Sequence, residues 1–195
     1  MKYKIIFIGL LAMIIILDSC ETKQQIPTRE QITEIIIETI KQDSLDINLP
    51  ICLNLVNRYN YQLEYDKELG FLPPPPRNEK GVPFAFKLYN STNDNFQGFN
   101  QKDSLFIVKQ VDVNKDLTLD LKLIPNDFKI KNVSVVKNNE LRLYKFLIPL
   151  FNRNNDFATV EYDYQCADCG FGKIVFFRKI GGKWTKIKSF GTWIR

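Results

Sequence analysis

Histidine is absent from this 195-residue chain, and its absence removes several classes of chemistry. Ser-His-Asp and Cys-His nucleophile systems, HExxH metalloprotease sites and histidine-ligated zinc all require an imidazole. Carboxylates, thiols and backbone groups are left as the candidate reactive groups. The sequence therefore leads us to expect no cofactor and no metal site, and it nominates no catalytic residue.

Long hydrophobic runs are also scarce. The uncharged apolar run from Ile5 to Leu17 spans thirteen residues, which is fewer than the roughly 20 that a membrane-spanning helix needs. Lys2 and Lys4 precede this run, and a short apolar run after positive charges is typical of a secretion signal.

A cysteine follows the apolar run. Leu17 stands three positions before Cys20, and the small residue Ser19 stands directly before it. This pattern resembles the lipobox of bacterial lipoproteins, which implies that Cys20 becomes the mature N-terminus and carries acyl chains such as palmitate. In the alternative interpretation, the segment is an ordinary signal peptide and Cys20 has no special role.

The lipobox resemblance divides the chain into three parts. It predicts a lipoprotein signal peptide at 1–19, a lipidated tether at 20–28 and a single α+β domain at 29–195, a length that suits one domain with its own core. A lipid anchor implies a membrane-attached protein of the cell envelope. We expect the anchor to lie in the outer membrane, in either of its two leaflets.

Acidic residues are missing from the C-terminal part of the chain. Residues 170–195 hold none, and their basic residues are Lys173, Arg178, Lys179, Lys183, Lys186, Lys188 and Arg195. Such an imbalance favours an anionic partner, here a phosphorylated glycolipid or an envelope protein and not nucleic acid. We predict that Lys183, Lys186 and Lys188 contribute to binding of an anionic surface. The alternative is that lysines keep exposed strands soluble and block edge-to-edge pairing.

The first structural signal is an N-terminal helix. Thr28 followed three residues later by Gln31 is a capping-box pattern. Isoleucines recur at helical spacing at positions 32, 35, 36 and 40. We expect this helix to lie across a sheet.

Beyond Pro83 the sequence pattern turns to strands. Leucines at positions 117, 119, 121 and 123 alternate with polar residues, which predicts a half-buried strand. Segments 133–136 and 140–144 flank Lys137-Asn138-Asn139 and predict a hairpin.

The C-terminal third predicts an antiparallel β-meander. Apolar and polar side chains alternate over residues 160–166, and segments 173–179 and 183–189 flank a two-residue Gly181-Gly182 turn. The predicted fold class is therefore α+β. We expect the N-terminal helix to pack on a mainly antiparallel sheet that ends in this meander.

Cys166 and Cys169 form the sharpest local motif. Two thiols three positions apart occur in redox centres, zinc sites and disulfides. The residues after them read as a strand, so the helix that stabilises a redox thiolate is lacking, and a zinc site needs about four ligands. A four-residue turn brings its ends within ~7 Å, and export leads to an oxidising compartment. We therefore predict a Cys166–Cys169 disulfide, with Cys52 buried outside it; the alternative is a bridge from Cys52 to either member of the pair.

Glu161 and Asp163 are the remaining chemical candidates. Residues two apart on a strand share one face at roughly 6.5–7 Å, and a carboxylate pair at such a separation can hydrolyse glycosidic bonds. Acidic residues on the wet face of a strand are equally ordinary. A carboxylate-based hydrolase acting on glycans is therefore the alternative function.

The C-terminal third also resembles a known group of proteins. The residues that carry the resemblance are Ile148-Pro149-Leu150-Phe151, Asp156 to Val160, the cysteine pair with Gly170 and Gly172, and Gly182-Lys183-Trp184. This pattern is similar to small lipoproteins of Bacteroidota, in which the two cysteines usually stand further apart. The resemblance brings no activity with it and implies location and fold only. The leading hypothesis is thus a membrane-anchored envelope lipoprotein with a non-enzymatic binding or structural role.

Overall fold

Two helices and seven strands make up the part of the chain that the structure describes. The computed structural model describes residues 25–57, 98–100, 103–114, 116–132, 142–166 and 169–194. The helices are α1 (Arg29–Gln42) and α2 (Asp103–Val113). The strands are β1 (Ile51–Cys52), β2 (Ile130–Lys131), β3 (Leu143–Phe146), β4 (Leu150–Phe151), β5 (Phe157–Gln165), β6 (Gly170–Ile180) and β7 (Lys183–Ile194).

Helix α1 begins with the predicted capping box. The Thr28 hydroxyl accepts a hydrogen bond from the Gln31 backbone N–H at 3.3 Å, and the Gln31 side chain accepts one from the Thr28 N–H at 2.9 Å. Two of the four N–H groups that a helix start leaves without partners are satisfied in this way. The predicted isoleucine stripe is buried, with Ile35 fully inaccessible to solvent. The helix packs against β5 and β7.

The sheet is mixed but mainly antiparallel, as predicted. Its strand order is β2-β1-β3-β5-β6-β7, and β4 also pairs with β5. The pairs of β1 with β2 and with β3 are parallel, and all other strand pairs are antiparallel. The predicted α+β fold class is confirmed.

Strands β5, β6 and β7 form the predicted meander. The turn between β6 and β7 is Gly181-Gly182, with φ of 56° and 81°. Positive φ at both central positions is the geometry of the tightest hairpin turns, and glycine adopts it without steric cost. The structure therefore confirms the hairpin and its turn.

Both faces of the sheet are buried. On one face, the α1 isoleucines pack with a cluster that includes Val175, Phe177 and Trp184. On the other face, α2 contributes Ile107 and Val111 to a second cluster, which also contains Ile174 and Phe176. Because side chains alternate along a strand, neighbouring residues of β6 supply opposite faces.

A β-bulge divides strand β7 between these two clusters. Phe176 pairs with Lys188 and Phe177 pairs with Lys186, so Ile187 is the extra residue. Trp184 lies in the α1 cluster, and Ile187 packs against the α2 cluster. Both of these side chains therefore lie in apolar surroundings, on opposite faces of the sheet.

Helix α2 lies where the sequence pattern favoured strands, and that prediction is wrong here. Phe106, Ile107, Gln110 and Val111 are buried, which is the spacing of one helical face. The Asp103 carboxylate accepts backbone hydrogen bonds from Asn100 at 2.7 Å and from Arg153 at 2.9 Å. The β-branched residues of this segment suit a strand locally, but burial of one helical face decides the outcome.

The predicted strand over residues 117–123 is also wrong. Thr118 makes a single bridge to Asn54, and residues 121–123 form a turn. The Asp120 carboxylate accepts a hydrogen bond from the Lys122 N–H at 3.0 Å, which closes that turn. Leu119 is buried, but Leu121 is 57% exposed, so the alternation does not correspond to a sheet face. The turn and the first arm of the hairpin predicted around 137–139 lie outside the described residues.

Candidate functional site

The hairpin of β6 and β7 is the candidate site because it carries the basic excess of the chain. Its strands are 11 and 12 residues long, and the sequence from 170 onward contains no acidic residue. The basic side chains of the described hairpin lie in three surroundings. Lys173 and Lys186 contact helix α1, and Lys188 lies beside Phe190. The remaining three, Arg178, Lys179 and Lys183, lie near the turn of the hairpin.

Asp43 joins Lys173 and Lys186 to helix α1. This residue caps the C-terminus of the helix, and its side chain is only 1% exposed. Its carboxylate forms ion pairs with the Lys173 ammonium at 2.8 Å and with the Lys186 ammonium at 2.7 Å. The Tyr162 hydroxyl donates a hydrogen bond to the same carboxylate. We call these four residues the Asp43 network.

The protonation states within the Asp43 network follow from burial and hydrogen bonding. Burial is the largest single influence on Asp43 and raises its pKa. Hydrogen bonds from Lys173, Lys186 and Tyr162 act in the opposite direction and together leave the pKa below its ordinary value of 3.8. Burial first, and the hydrogen bond to Asp43 second, raise the pKa of Tyr162. Asp43 is therefore ionised and Tyr162 is a neutral donor at physiological pH.

Gln42 adds backbone contacts beside this network. Its side chain donates to the Trp184 carbonyl oxygen at 2.8 Å and accepts from the Lys186 N–H at 2.7 Å. The Lys186 ammonium also donates to the Gln42 carbonyl oxygen at 3.3 Å. These contacts fix the C-terminus of α1 against strand β7.

The three lysines predicted to bind an anionic surface do not form one cluster. Lys186 lies in the Asp43 network, on the α1 face of the sheet. Lys188 lies beyond the bulge, and its ammonium sits 4.5 Å from the ring centroid of Phe190, which packs on the α2 face. Lys183 is exposed beside the turn. Their role in binding stays a prediction, but Lys186 also has a structural contact that sequence reasoning did not foresee.

A different set of side chains shares a face near the turn. Ile180 pairs with Lys183, and Arg178 pairs with Thr185 across the two strands. Cross-strand partners, and residues two apart on one strand, lie on the same face. All four side chains are exposed, and Ile180 is 55% exposed. We call these four residues the tip face.

The predicted disulfide between Cys166 and Cys169 is confirmed. It links the end of β5 to the start of β6, with a Cα–Cα distance of 5.1 Å. A backbone hydrogen bond from the Cys166 N–H to the Cys169 carbonyl oxygen, 3.1 Å long, closes the same turn. Cys52 is buried in β1 and takes no part in this bridge.

The two carboxylates of the alternative hydrolase share one face of β5, as predicted. Asp163 is 1% exposed and Glu161 is half-buried, so Asp163 does not lie on a wet face. This burial corrects the interpretation of the pair as ordinary solvated acids. Hydrolase activity itself stays a prediction.

Cys20 and the signal sequence lie outside the described residues. Among the residues that the structure covers, no helix is long and apolar enough to cross a membrane. The same residues contain no group of three or more Cys, Asp or Glu side chains arranged to hold a metal ion. Comparisons with protein families, with curated proteins and with solved structures find no match for this chain.

Proposed function

We propose that this chain is a lipid-anchored protein of the cell envelope that binds an anionic partner surface through its C-terminal hairpin. The role is one of binding, without catalysis. The observation that supports it most directly is the basic hairpin, whose two strands carry six lysine and arginine residues and no acidic residue. Asp43 pairs with two of them, Lys173 and Lys186. Arg178 and Lys183 are exposed near the turn, so this end of the hairpin presents a positive field to solvent.

A positive field of this kind acts mainly on the encounter with an anionic surface. Exposed charges are screened beyond roughly 8 Å at physiological ionic strength. The field therefore helps most when the protein is already held close to its partner. A lipid on Cys20 provides this proximity, because the nine residues of the tether at 20–28 reach about 30 Å when extended.

The anchor is tested by the intact mass of the protein extracted in detergent from the envelope. We expect a polypeptide that begins at Cys20 and carries a diacyl or triacyl adduct. The Cys20→Ala variant should lack both the adduct and the cleavage before residue 20. A water-soluble product of the parent that is cleaved elsewhere would overturn the anchoring proposal.

The binding role is tested with the anchored protein in neutral phosphatidylcholine vesicles. These vesicles should capture added vesicles that contain phosphatidylglycerol, and they should not capture neutral ones. Capture should fall steeply between low salt and 0.5 M salt, where the Debye length is only about 4 Å. If capture of anionic vesicles at low salt does not exceed capture of neutral vesicles, the proposed function is wrong.

A further inference from the structure

We infer that the tip face is the part of the hairpin that meets the partner and that the partner is an anionic lipid bilayer. This inference rests on the proposed function and names its contact surface and its partner. The tip face combines two cations, Arg178 and Lys183, with an exposed isoleucine between them.

The cations of the tip face are distinct from those that stabilise the fold. Lys173 and Lys186 are held by a carboxylate that is 1% exposed, and their own side chains are only 29% and 31% exposed. Arg178 and Lys183 are exposed on the opposite face of the same strands. One pair of cations in the hairpin therefore binds the Asp43 carboxylate within the fold, and another pair is exposed to solvent.

Two basic side chains at this end of the hairpin pack against buried aromatic rings. The Arg178 guanidinium lies 6.0 Å from the ring centroid of Phe157, which is 1% exposed. Next to the turn, the Lys179 ammonium lies 4.9 Å from the ring centroid of Trp184 on the other face. Because these contacts hold the strands in place, the apolar side chain beside the two-residue turn can enter a bilayer interface without any rearrangement of the strands. The entropic cost of binding is therefore low.

Ile180 distinguishes a lipid bilayer from a soluble polyanion. Single exposed apolar residues are ordinary on protein surfaces, but this one is 55% exposed at the apex of a hairpin, directly across from Lys183. Peripheral membrane sites bury apolar side chains below the headgroups while nearby cations contact the phosphates. A soluble polyanion would use only the charges.

Another exposed aliphatic residue supplies a matched control. Leu121 is 57% exposed, almost the same as Ile180, but it stands next to Asp120 as well as Lys122. Lys122 and Lys129 are exposed in the same segment. Substitutions there remove equal charge and equal apolar area from a surface of mixed charge.

The experiment compares four variants in the vesicle-capture assay. Arg178→Gln with Lys183→Gln should weaken capture about 25-fold, because each basic residue near an anionic membrane contributes roughly fivefold. Ile180→Ser should weaken it about tenfold through lost apolar burial. The control variants, Lys122→Gln with Lys129→Gln and Leu121→Ser, should match the parent. Circular dichroism and thermal melting of all four establish that each variant is folded.

Each outcome of the comparison has a definite meaning. If the Arg178→Gln, Lys183→Gln variant loses capture and Ile180→Ser does not, the tip face binds through its charges alone. The lipid-bilayer inference is then wrong. If both tip variants behave as their controls do, the tip face is not the contact surface and the inference fails, while salt-sensitive capture by the parent still supports the anionic-surface binding of the proposed function. If the parent itself fails to capture anionic vesicles, the proposed function fails first.

Discussion

At the scale of single residues, Asp43 connects the end of helix α1 to the basic hairpin. Its carboxylate is buried and balances two lysines that are each about two-thirds covered. Removing one partner from a buried ion pair typically costs about 3–5 kcal/mol, because the remaining charge is left without compensation. The lysine ammonium groups here can still reach water, so we expect a smaller cost for this site.

The first residue-scale prediction concerns the pH dependence of stability. Because the folded-state pKa of Asp43 is lowered, its contribution is complete above the ordinary value and is lost as the pH falls through the lowered value. Asp43→Asn should reduce the free energy of unfolding by roughly 2 kcal/mol at pH 7. The difference between parent and variant should shrink as the pH falls from about 5 toward 2.

Chemical denaturation at several pH values measures this difference. Lys186→Gln should also destabilise the protein, because it removes one ion pair from the buried carboxylate. Lys183→Gln is the control and should change the free energy of unfolding by less than about 0.5 kcal/mol, since its side chain is exposed. Equal effects of the two lysine substitutions would contradict a structural role for Asp43.

At the scale of elements, the end of α1 protects strand β7. Gln42 occupies the carbonyl of Trp184 and the N–H of Lys186 with its side chain, and β7 pairs with β6 by its other edge. Open strand edges invite pairing with other chains, and natural proteins cover or charge them. A helix terminus therefore contributes to this protection, in addition to the lysines that the sequence suggested.

The disulfide between β5 and β6 provides the element-scale prediction. It closes a loop of only four residues, so loop-closure entropy limits its contribution to about 2 kcal/mol. Reduction should lower the melting temperature by several degrees without unfolding the protein at 25 °C. Peptide mapping without reduction should recover a fragment that holds both Cys166 and Cys169.

The Cys52→Ala variant is the matched control for reduction. It should show the same reduction-dependent shift in melting temperature as the parent, because Cys52 lies outside the bridge. Recovery of a disulfide-linked peptide that contains Cys52 would contradict the observed pairing.

Local sequence patterns predicted an element correctly where its hydrophobic period and its boundary residues indicated the same structure. The capping box and isoleucine stripe located α1, and the Gly181-Gly182 turn located the last hairpin. They failed at α2, where β-branched residues compete with helical burial, and at 117–123, where a side chain of Asp120 closes a turn. The disulfide could be predicted because its two cysteines are neighbours in sequence.

The Asp43 network could not be predicted in the same way. Its contacts join residues that are 119, 130 and 143 positions apart in the chain. No local period carries information about such a contact, since it depends on where α1 crosses the sheet. A buried Asp directly after a helix, with lysines on distant strands, is the signal to look for once the topology is known.

At the scale of the whole molecule, the sheet separates the charged side chains that pair within the fold from those that are exposed to solvent. The α1 face holds the Asp43 network, and the α2 face of the hairpin presents Arg178 and Lys183. The bulge opposite Phe176 and Phe177 contributes to this separation, because it places Lys186 and Lys188 on different faces. From the net charge of the hairpin alone, all these basic side chains would be assigned to one positively charged patch.

The long separation between α1 and the hairpin also has a consequence for folding order. The β5–β6–β7 meander forms from neighbouring segments, whose loop-closure entropy is small. Docking of α1 must close a loop of more than a hundred residues, so we expect Asp43 to meet Lys186 late in folding. Contacts absent from the transition state act mainly on the unfolding rate. We therefore expect the Asp43 network to slow the separation of the helix from the hairpin during unfolding and to have little effect on the folding rate.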